Sequence, residues 1–266
     1  MINNQKITII GGGNLGLAIA LGLVKSGDIL PENITITRRH IESIQFLTEK
    51  GLSITSNNIE AASKADIILL AIKPYQIAAV LAEIQPVLTE NQLLISVVSS
   101  VSMVDIAEIV KVKMPIFRAM PNTAIAIQQS MTCISYLNTT NEQNEKVLAI
   151  FKQLGEAIVI DEDLMEAATV LGACGTAYAM RYIRANIQGG IEIGFSAHIA
   201  RLIAAQTVKG AAELLLQNGT HPESEIDKVT TPKGCTIAGL NEMEHQGFSS
   251  SLIRGLVASY QKIRKD

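Results

Sequence analysis

The stretch "KITIIGGGNLGLAIALGL", Lys6 to Leu23, constrains the fold more than any other part of the chain. A β-branched run reads as a strand, three glycines end it, and an Ala- and Leu-rich segment with helical spacing follows. Gly11, Gly13 and Gly16 form a G-x-G-x-x-G pattern. Alone the pattern is weak. Between a strand and a helix, inside a strand–helix–strand unit, it marks a turn that binds a dinucleotide. Gly11 permits the tight turn, Gly13 lets backbone approach a pyrophosphate, and Gly16 lets helix and strand pack closely. The first amides of the helix, at Asn14 and Leu15, then face the phosphates.

The same alternation continues to about residue 160. "NITIT", "DIILLAI", "QLLISVV", "PIFRAM", "MTCIS" and "AIVI" read as further strands, and "IESIQFLTEKG", "QIAAVLAEIQPVL" and "NEKVLAIFKQLG" as helices. Thr140 with Gln143 fits a capping box, and Gly27, Gly51 and Gly155 fit helix ends. Alternating elements with nearly continuous apolar strands predict a doubly wound (Rossmann-type), mostly parallel sheet covered on both faces. After Asp161 the strand signal stops and the chain turns Ala-, Leu- and Ile-rich and helical. The expected organisation is a dinucleotide-binding α/β domain, 1–161, followed by an all-α domain, 162–266. "MEAATVLGACGTAYAM" is apolar around most of its circumference and predicts a helix buried on all sides. In so small a domain, either a central core position or packing against a second subunit satisfies it.

Composition narrows the function classes. A net charge of −3, no long basic block, no Trp and 4% aromatics argue against nucleic-acid binding. Cys133, Cys174 and Cys235 are scattered, as are His40, His198, His221 and His245, so no metal site is expected. The longest uncharged C-terminal segment, Ala167 to Met180 by the reading of its glycines and length, is too short to span a bilayer. "KITIIGGG" lacks the order of a secretory leader. A cytoplasmic protein with reduced thiols is expected.

The second strand indicates which dinucleotide. Where an NAD site commonly places an acidic residue to accept from ribose hydroxyls, this chain has "ITITRRH". Thr37, Arg38 and Arg39 suit a 2′-phosphate, which predicts NADPH, with NADH the lesser alternative.

Taken together, "GGGNLG" (11–16), "AIKP" (71–74), "RAMPNTA" (118–124), "GTAYA" (175–179), "AAQTVKGAAELL" (204–215) and "TTPKGCTIAGL" (230–240) resemble the pyrroline-5-carboxylate reductases over nearly the whole chain. The resemblance implies NADPH-dependent reduction of the cyclic imine 1-pyrroline-5-carboxylate to L-proline. It implies a helical domain interleaved with that of a partner, as a homodimer and often a higher ring-like assembly. It places Asn58 near the adenosine ribose and Ala71, Ile72, Lys73 and Pro74 along the cofactor. Val97, Val98, Ser99 and Asn122 fall toward the nicotinamide, although Asn122 suits a structural turn equally well. The chain departs from the family pattern at Gly172, Ala173, Cys174 and Thr176, at Val98, Ser99 and Ser100, and at Lys233, where the family usually has glycine.

The loop "TTPKGCTIAG" interrupts the helical half with more hydroxyls and turn formers than a cap needs. A small anionic imine requires donors for its carboxylate, and backbone amides ahead of a helix plus hydroxyls form a compact set. Thr231, Gly234, Cys235 and Thr236 are the expected substrate-binding residues. The resemblance further assigns the Thr236 hydroxyl to the ring nitrogen, as the catalytic group. Lys233 either adds charge attraction or points into water, and Tyr178 is read as packing near a subunit contact. Two alternatives remain open on sequence: a related imine such as a piperideine carboxylate, and a non-catalytic NADPH-binding module. A β-hydroxyacid-type reductase is disfavoured because the helix Thr169 to Asn186 offers Arg181 and Arg184 but no lysine.

Overall fold

The computed structural model describes residues 4–264. They divide into two compact units, one running up to Cys174 and rejoined by 262–264, the other Gly175–Gln261.

The first unit is built on eight strands: β1 (Ile7–Ile10), β2 (Ile34–Thr37), β3 (Ser53–Thr55), β4 (Ile67–Leu70), β5 (Leu93–Ser96), β6 (Ile116–Met120), β7 (Ser130–Leu137) and β8 (Gly155–Val159). Their order is β3-β2-β1-β4-β5-β6-β7-β8. Every pair is parallel except β6–β7. The link between β6 and β7 holds only a 3₁₀ turn, Thr123–Ile127, which suits an antiparallel return and is too short for a crossover helix. Helices α1 (Asn14–Ser26), α2 (Asn58–Ser63), α3 (Ile77–Ile84), α4 (Met103–Val110) and α5 (Asn141–Lys152) cover the sheet.

Strand alternation distributes the core over both faces. Ile67 and Leu69 join Ile19, Leu23, Phe117 and Phe151 in one cluster. Ile68 and Leu70 join Leu81, Ile84, Ile106 and Val110 in the other. Each such buried side chain stabilises by about 1.5–3 kcal/mol. The buried Gln92 amide is satisfied, its Nε2 donating to the carbonyls of Ala62 and Ala65 at 2.8 and 2.7 Å. The Thr140 capping box forms as predicted, with the Gln143 side chain accepting from Thr140 N–H at 2.8 Å.

Several local expectations are corrected. Gly155 does not end α5, whose C-cap is Gln153; it opens β8 at φ +138°, where a Cβ would strike the Ser130 backbone. The Ile41–Lys50 segment is a 3₁₀ helix, with Gly51 closing it at φ +84°. The short elements β3, α2 and α4 have no counterpart among the predicted ones; three to eight residues carry too little periodicity to register. The stretch expected as one buried helix is three pieces: α6 (Met165–Ala168), a π-helical turn Thr169–Cys174, and the start of α7 (Gly175–Glu192). Met165, Thr169 and Val170 are buried, but Leu171 is 71% and Met180 63% exposed. Within one chain that helix is not enclosed.

The second unit comprises α7, α8 (Ala197–Asn218), α9 (Pro222–Lys228), α10 (Cys235–His245) and α11 (Phe248–Ile263). Helices α7 and α8 cross closely where Gly190 meets Ala200. Ala200 and Ala204 are the buried apolar residues of this unit among those described. Tyr178 Oη and Ser259 Oγ lie 2.6 Å apart and tie α7 to α11. Among the described residues no helix is long and apolar enough to cross a membrane.

Candidate active site

The glycine turn follows β1 directly. Gly11 sits at φ +114°, and a Cβ there would run into the Ala71 carbonyl oxygen, so both conformation and close approach demand glycine. The N–H groups of Gly11 and Gly12 donate to the Thr37 carbonyl at 3.1 and 2.8 Å, tying the turn to the end of β2. At Gly16 a Cβ would collide with the Gly11 carbonyl. Gly16 therefore serves packing and does not itself line the cleft described below. Gly13 differs: a Cβ there would meet nothing within 4 Å. Its bareness leaves room for something other than protein. As N-cap of α1, Gly13 supplies no side-chain cap, and the first turn carries no acidic residue. The free amides beyond it therefore suit an anion.

This turn opens on a cleft of about 1240 Å³ at the carboxyl ends of the central strands, beside the β1–β4 switch in strand order. Gly11, Gly13, Asn14 and Leu15 line it from the turn. Arg38 and Arg39 line it beyond β2, Asn58 beyond β3, and Ala71, Ile72, Lys73 and Pro74 beyond β4. Val97, Val98 and Ser99 continue the wall beyond β5, and Asn122 beyond β6. Residues spread over more than a hundred positions are thus brought together by one rule, that parallel strands present their following loops on one edge.

On the β2 side, Arg38 Nη1 donates to the Gly12 carbonyl at 2.7 Å, which lays its guanidinium over the glycine turn. Arg39 and His40 are exposed and also line the cleft. Thr37 is reassigned. It is 2% exposed and its hydroxyl donates to Asn58 Oδ1 at 2.6 Å, so its proton goes to a neighbour and not to a phosphate. Asn58 Nδ2 in turn donates to Glu83 Oε2 at 3.0 Å. Lys73 is exposed, and its N–H donates to Gln76 Oε1 at 3.1 Å, closing the turn before α3.

On the β6 side, Asn122 shapes a turn while also lining the cleft. Its Oδ1 accepts from Ala124 N–H at 3.0 Å, capping the 3₁₀ turn, and its Nδ2 donates to the Gly172 carbonyl at 3.4 Å. Thr169 and Ala173 of the π-turn reach the same cleft. Such turns bend a helix locally and re-aim its side chains. Behind them Arg118, 3% exposed, bonds Glu162 and Glu166 at 3.1 Å each and pins this segment to β6.

In the second unit, Thr231 to Gly234 form a tight turn closed by Gly234 N–H to Thr231 O at 2.9 Å. Pro232 and Lys233 occupy its centre, Lys233 at φ +61°, the arrangement of a type II turn that favours glycine third. The left-handed conformation costs a lysine about 1 kcal/mol. Gly234 keeps the turn tight, since a Cβ there would displace the Thr231 hydroxyl, 2.5 Å away, and press on the Thr231 carbonyl at 3.0 Å. It caps α10 without a side-chain bond, and no acidic residue follows in the first turn, so the amides at Cys235 and Thr236 have no side-chain cap. Of the loop hydroxyls, Thr230 is committed to the Ile226 carbonyl at 2.7 Å. Upstream, hydrogen bonds from Lys228 and then Thr220 hold the Glu225 carboxyl below its ordinary range and fasten α9.

Sequence reasoning missed Tyr75, Glu83, His40 and the π-turn residues as cleft lining. Glu83 lies on α3, and only tertiary packing brings it within hydrogen-bond reach of Asn58 at the start of α2. Arg118 had a weak signal, a charged residue inside an apolar strand.

Residues 162–266 match the family model described as pyrroline-5-carboxylate reductase dimerisation, and residues 6–100 match NADP oxidoreductase, coenzyme F420-dependent. The chain is 48% identical to pyrroline-5-carboxylate reductase 1 of Dictyostelium discoideum, over 97% of this chain but 49% of that protein. It is 47% identical to pyrroline-5-carboxylate reductase 2 of the same organism, over 99% of this chain and 93% of that one. The crystal structure of Plasmodium falciparum pyrroline carboxylate reductase with NADP bound superposes with a TM-score of 0.91 at 27% identity, covering 99% and 98% of the two chains. Glycine turn, basic β2 end, hydroxyl-bearing loop and near-full-length relatives agree, and the chain belongs to the pyrroline-5-carboxylate reductase family.

Proposed function

We propose that this chain catalyses the NADPH-dependent reduction of 1-pyrroline-5-carboxylate to L-proline. The carrying observation is the cleft itself: an open-faced Gly13 and uncapped α1 amides beside two guanidinium groups, in a chain of this family. The amides around Gly11, Gly13, Asn14 and Leu15 hold the pyrophosphate, with Gly16 keeping the turn seated. Arg38 and Arg39 bind the 2′-phosphate and Asn58 the adenosine ribose. Ala71 to Pro74 run along the dinucleotide, and Val97, Val98, Ser99 and the Asn122 turn border its nicotinamide. NADPH, when bound, supplies the hydride.

Thr231, Gly234, Cys235 and Thr236 hold the substrate. The α10 amides donate to the carboxylate, and the Thr236 hydroxyl bonds the ring nitrogen. A protonated imine is already electrophilic and its reduction develops no oxyanion, so orientation and exclusion of water carry most of the rate. Residues 1–161 serve the dinucleotide and 162–266 the substrate and dimerisation. The family match to a dimerisation model and the exposed apolar faces of α7 and α8 support a homodimer, able to assemble further. The site of action is the cytoplasm.

Loss of NADPH absorbance with the five-membered imine tests the reaction. Faster turnover of the six-membered piperideine carboxylate would move the assignment to that ring, a reading favoured by the substitutions at 172–176 and Lys233. No turnover of either, with NADPH bound, would make the chain a binding module.

A further inference from the structure

Glu83 is out of place in the cleft assigned above. A dinucleotide phosphate is a polyanion, and the cationic lining of Arg38, Arg39 and Lys73 suits it, whereas a carboxylate repels it. Its hydrogen bonding explains its presence. Glu83 Oε2 accepts from Asn58 Nδ2 at 3.0 Å, while Asn58 Oδ1 accepts from the buried Thr37 hydroxyl at 2.6 Å. All three side chains line the cleft.

A primary amide has two N–H donors and two lone pairs on oxygen. Asn58 spends one of each on its neighbours and keeps one of each for a ligand. Thr37 could face either end of the amide, because a hydroxyl both donates and accepts. Glu83 could not, because an ionised carboxylate only accepts. Turning the amide over would set oxygen against carboxylate. Glu83 therefore decides which end of Asn58 is the nitrogen, and so which group a ligand hydroxyl meets.

We propose that Glu83 is a positioning residue for cofactor binding, acting through Asn58 to present one amide donor and one acceptor to the ribose hydroxyls. The inference rests on the cofactor reading above. Two substitutions separate the hydrogen bond from the charge. Glu83→Ala removes both, whereas Glu83→Gln removes the charge, keeps an acceptor and adds a donor, so it can hold the Asn58 amide without fixing which end is the nitrogen.

NADPH binding is followed by nucleotide fluorescence without substrate, and KM and kcat by absorbance with the imine. Glu83→Ala is expected to raise the Kd and KM for NADPH about 3- to 10-fold, the scale of one hydrogen bond, with kcat within about 2-fold. Glu83→Gln should lie between the wild type and Glu83→Ala, because it still holds the Asn58 amide but no longer dictates its direction, and thermal stability should stay the same in both. Unchanged or tighter binding by Glu83→Ala would overturn the proposal, since the carboxylate would then only repel. So would Gln failing as badly as Ala, or kcat and stability falling together with affinity. The binding arm needs no substrate, so failure of the proposed reaction registers separately, as lost turnover in the wild type.

Discussion

The two units bury their apolar residues very differently. In the first, both faces of the sheet are covered from within the chain, and Phe117, Phe151 and the strand isoleucines are essentially inaccessible. In the second, the buried apolar residues are two alanines, while Leu202, Leu216 and Ile253 are 62%, 76% and 60% exposed. A sheet flanked by its own helices is self-sufficient. A set of helices with apolar residues facing outward gains its stabilisation from another molecule. One chain thus carries a unit that encloses its own core and a unit whose apolar faces it leaves uncovered.

The largest predicted effect probes this contrast. Phe117→Ala should lower the unfolding free energy by about 4 kcal/mol, independently of protein concentration. Leu202→Glu, on α8, should leave the first unit folded but shift the oligomer toward monomer, with stability that now depends on concentration. Sedimentation and denaturation at several concentrations check both. A fully stable dimer carrying Leu202→Glu would remove α8 from the interface, and a stable monomer would show that the second unit needs no partner.

Next in size is Thr236→Ala, which sharpens the division of labour between the units. Turnover should fall about 10- to 100-fold, on the order of one hydrogen bond made in the transition state, while the Kd for NADPH stays as it was. Weakened NADPH binding with unaltered turnover would put Thr236 on the cofactor instead.

The smallest effect is at Lys233. Relief of its left-handed backbone favours glycine by about 1 kcal/mol, and the freer unfolded chain returns about half of that. Lys233→Gly should therefore stabilise slightly, read as a raised midpoint in chemical denaturation. A loss of stability would mean that the lysine side chain makes contacts worth more than its strain. If KM for the imine also rises and its salt dependence flattens, the lysine charge attracts the carboxylate.

Much of the first unit was legible before any coordinates. Its strands are β-branched runs, its helices have 3.6-residue spacing, and G-x-G-x-x-G carries its own steric logic. The failures were local and have local causes. Gly155 was read as a helix end because it follows α5, but the same positive φ that suits a cap also suits a crowded strand entry. Thr37 was read as a ligand hydroxyl because nothing in the order of residues reveals that Asn58 stands across from it. The "GACGTAY" stretch was read as one continuous helix, and the π-turn that breaks its period has no compositional mark.

The amino-acid order by itself determined most of the elements, their alternation, the glycine turn after β1 and the basic character of the β2 end. These are consequences of φ/ψ preference, periodicity and charge, which act between near neighbours. Tertiary structure alone decided that Asn58 is held between Thr37 and Glu83, that Arg118 clamps Glu162 and Glu166 against β6, and which apolar helix faces find no cover within the chain. Those outcomes depend on where distant elements pack, and packing is settled by the whole sheet and its helices at once.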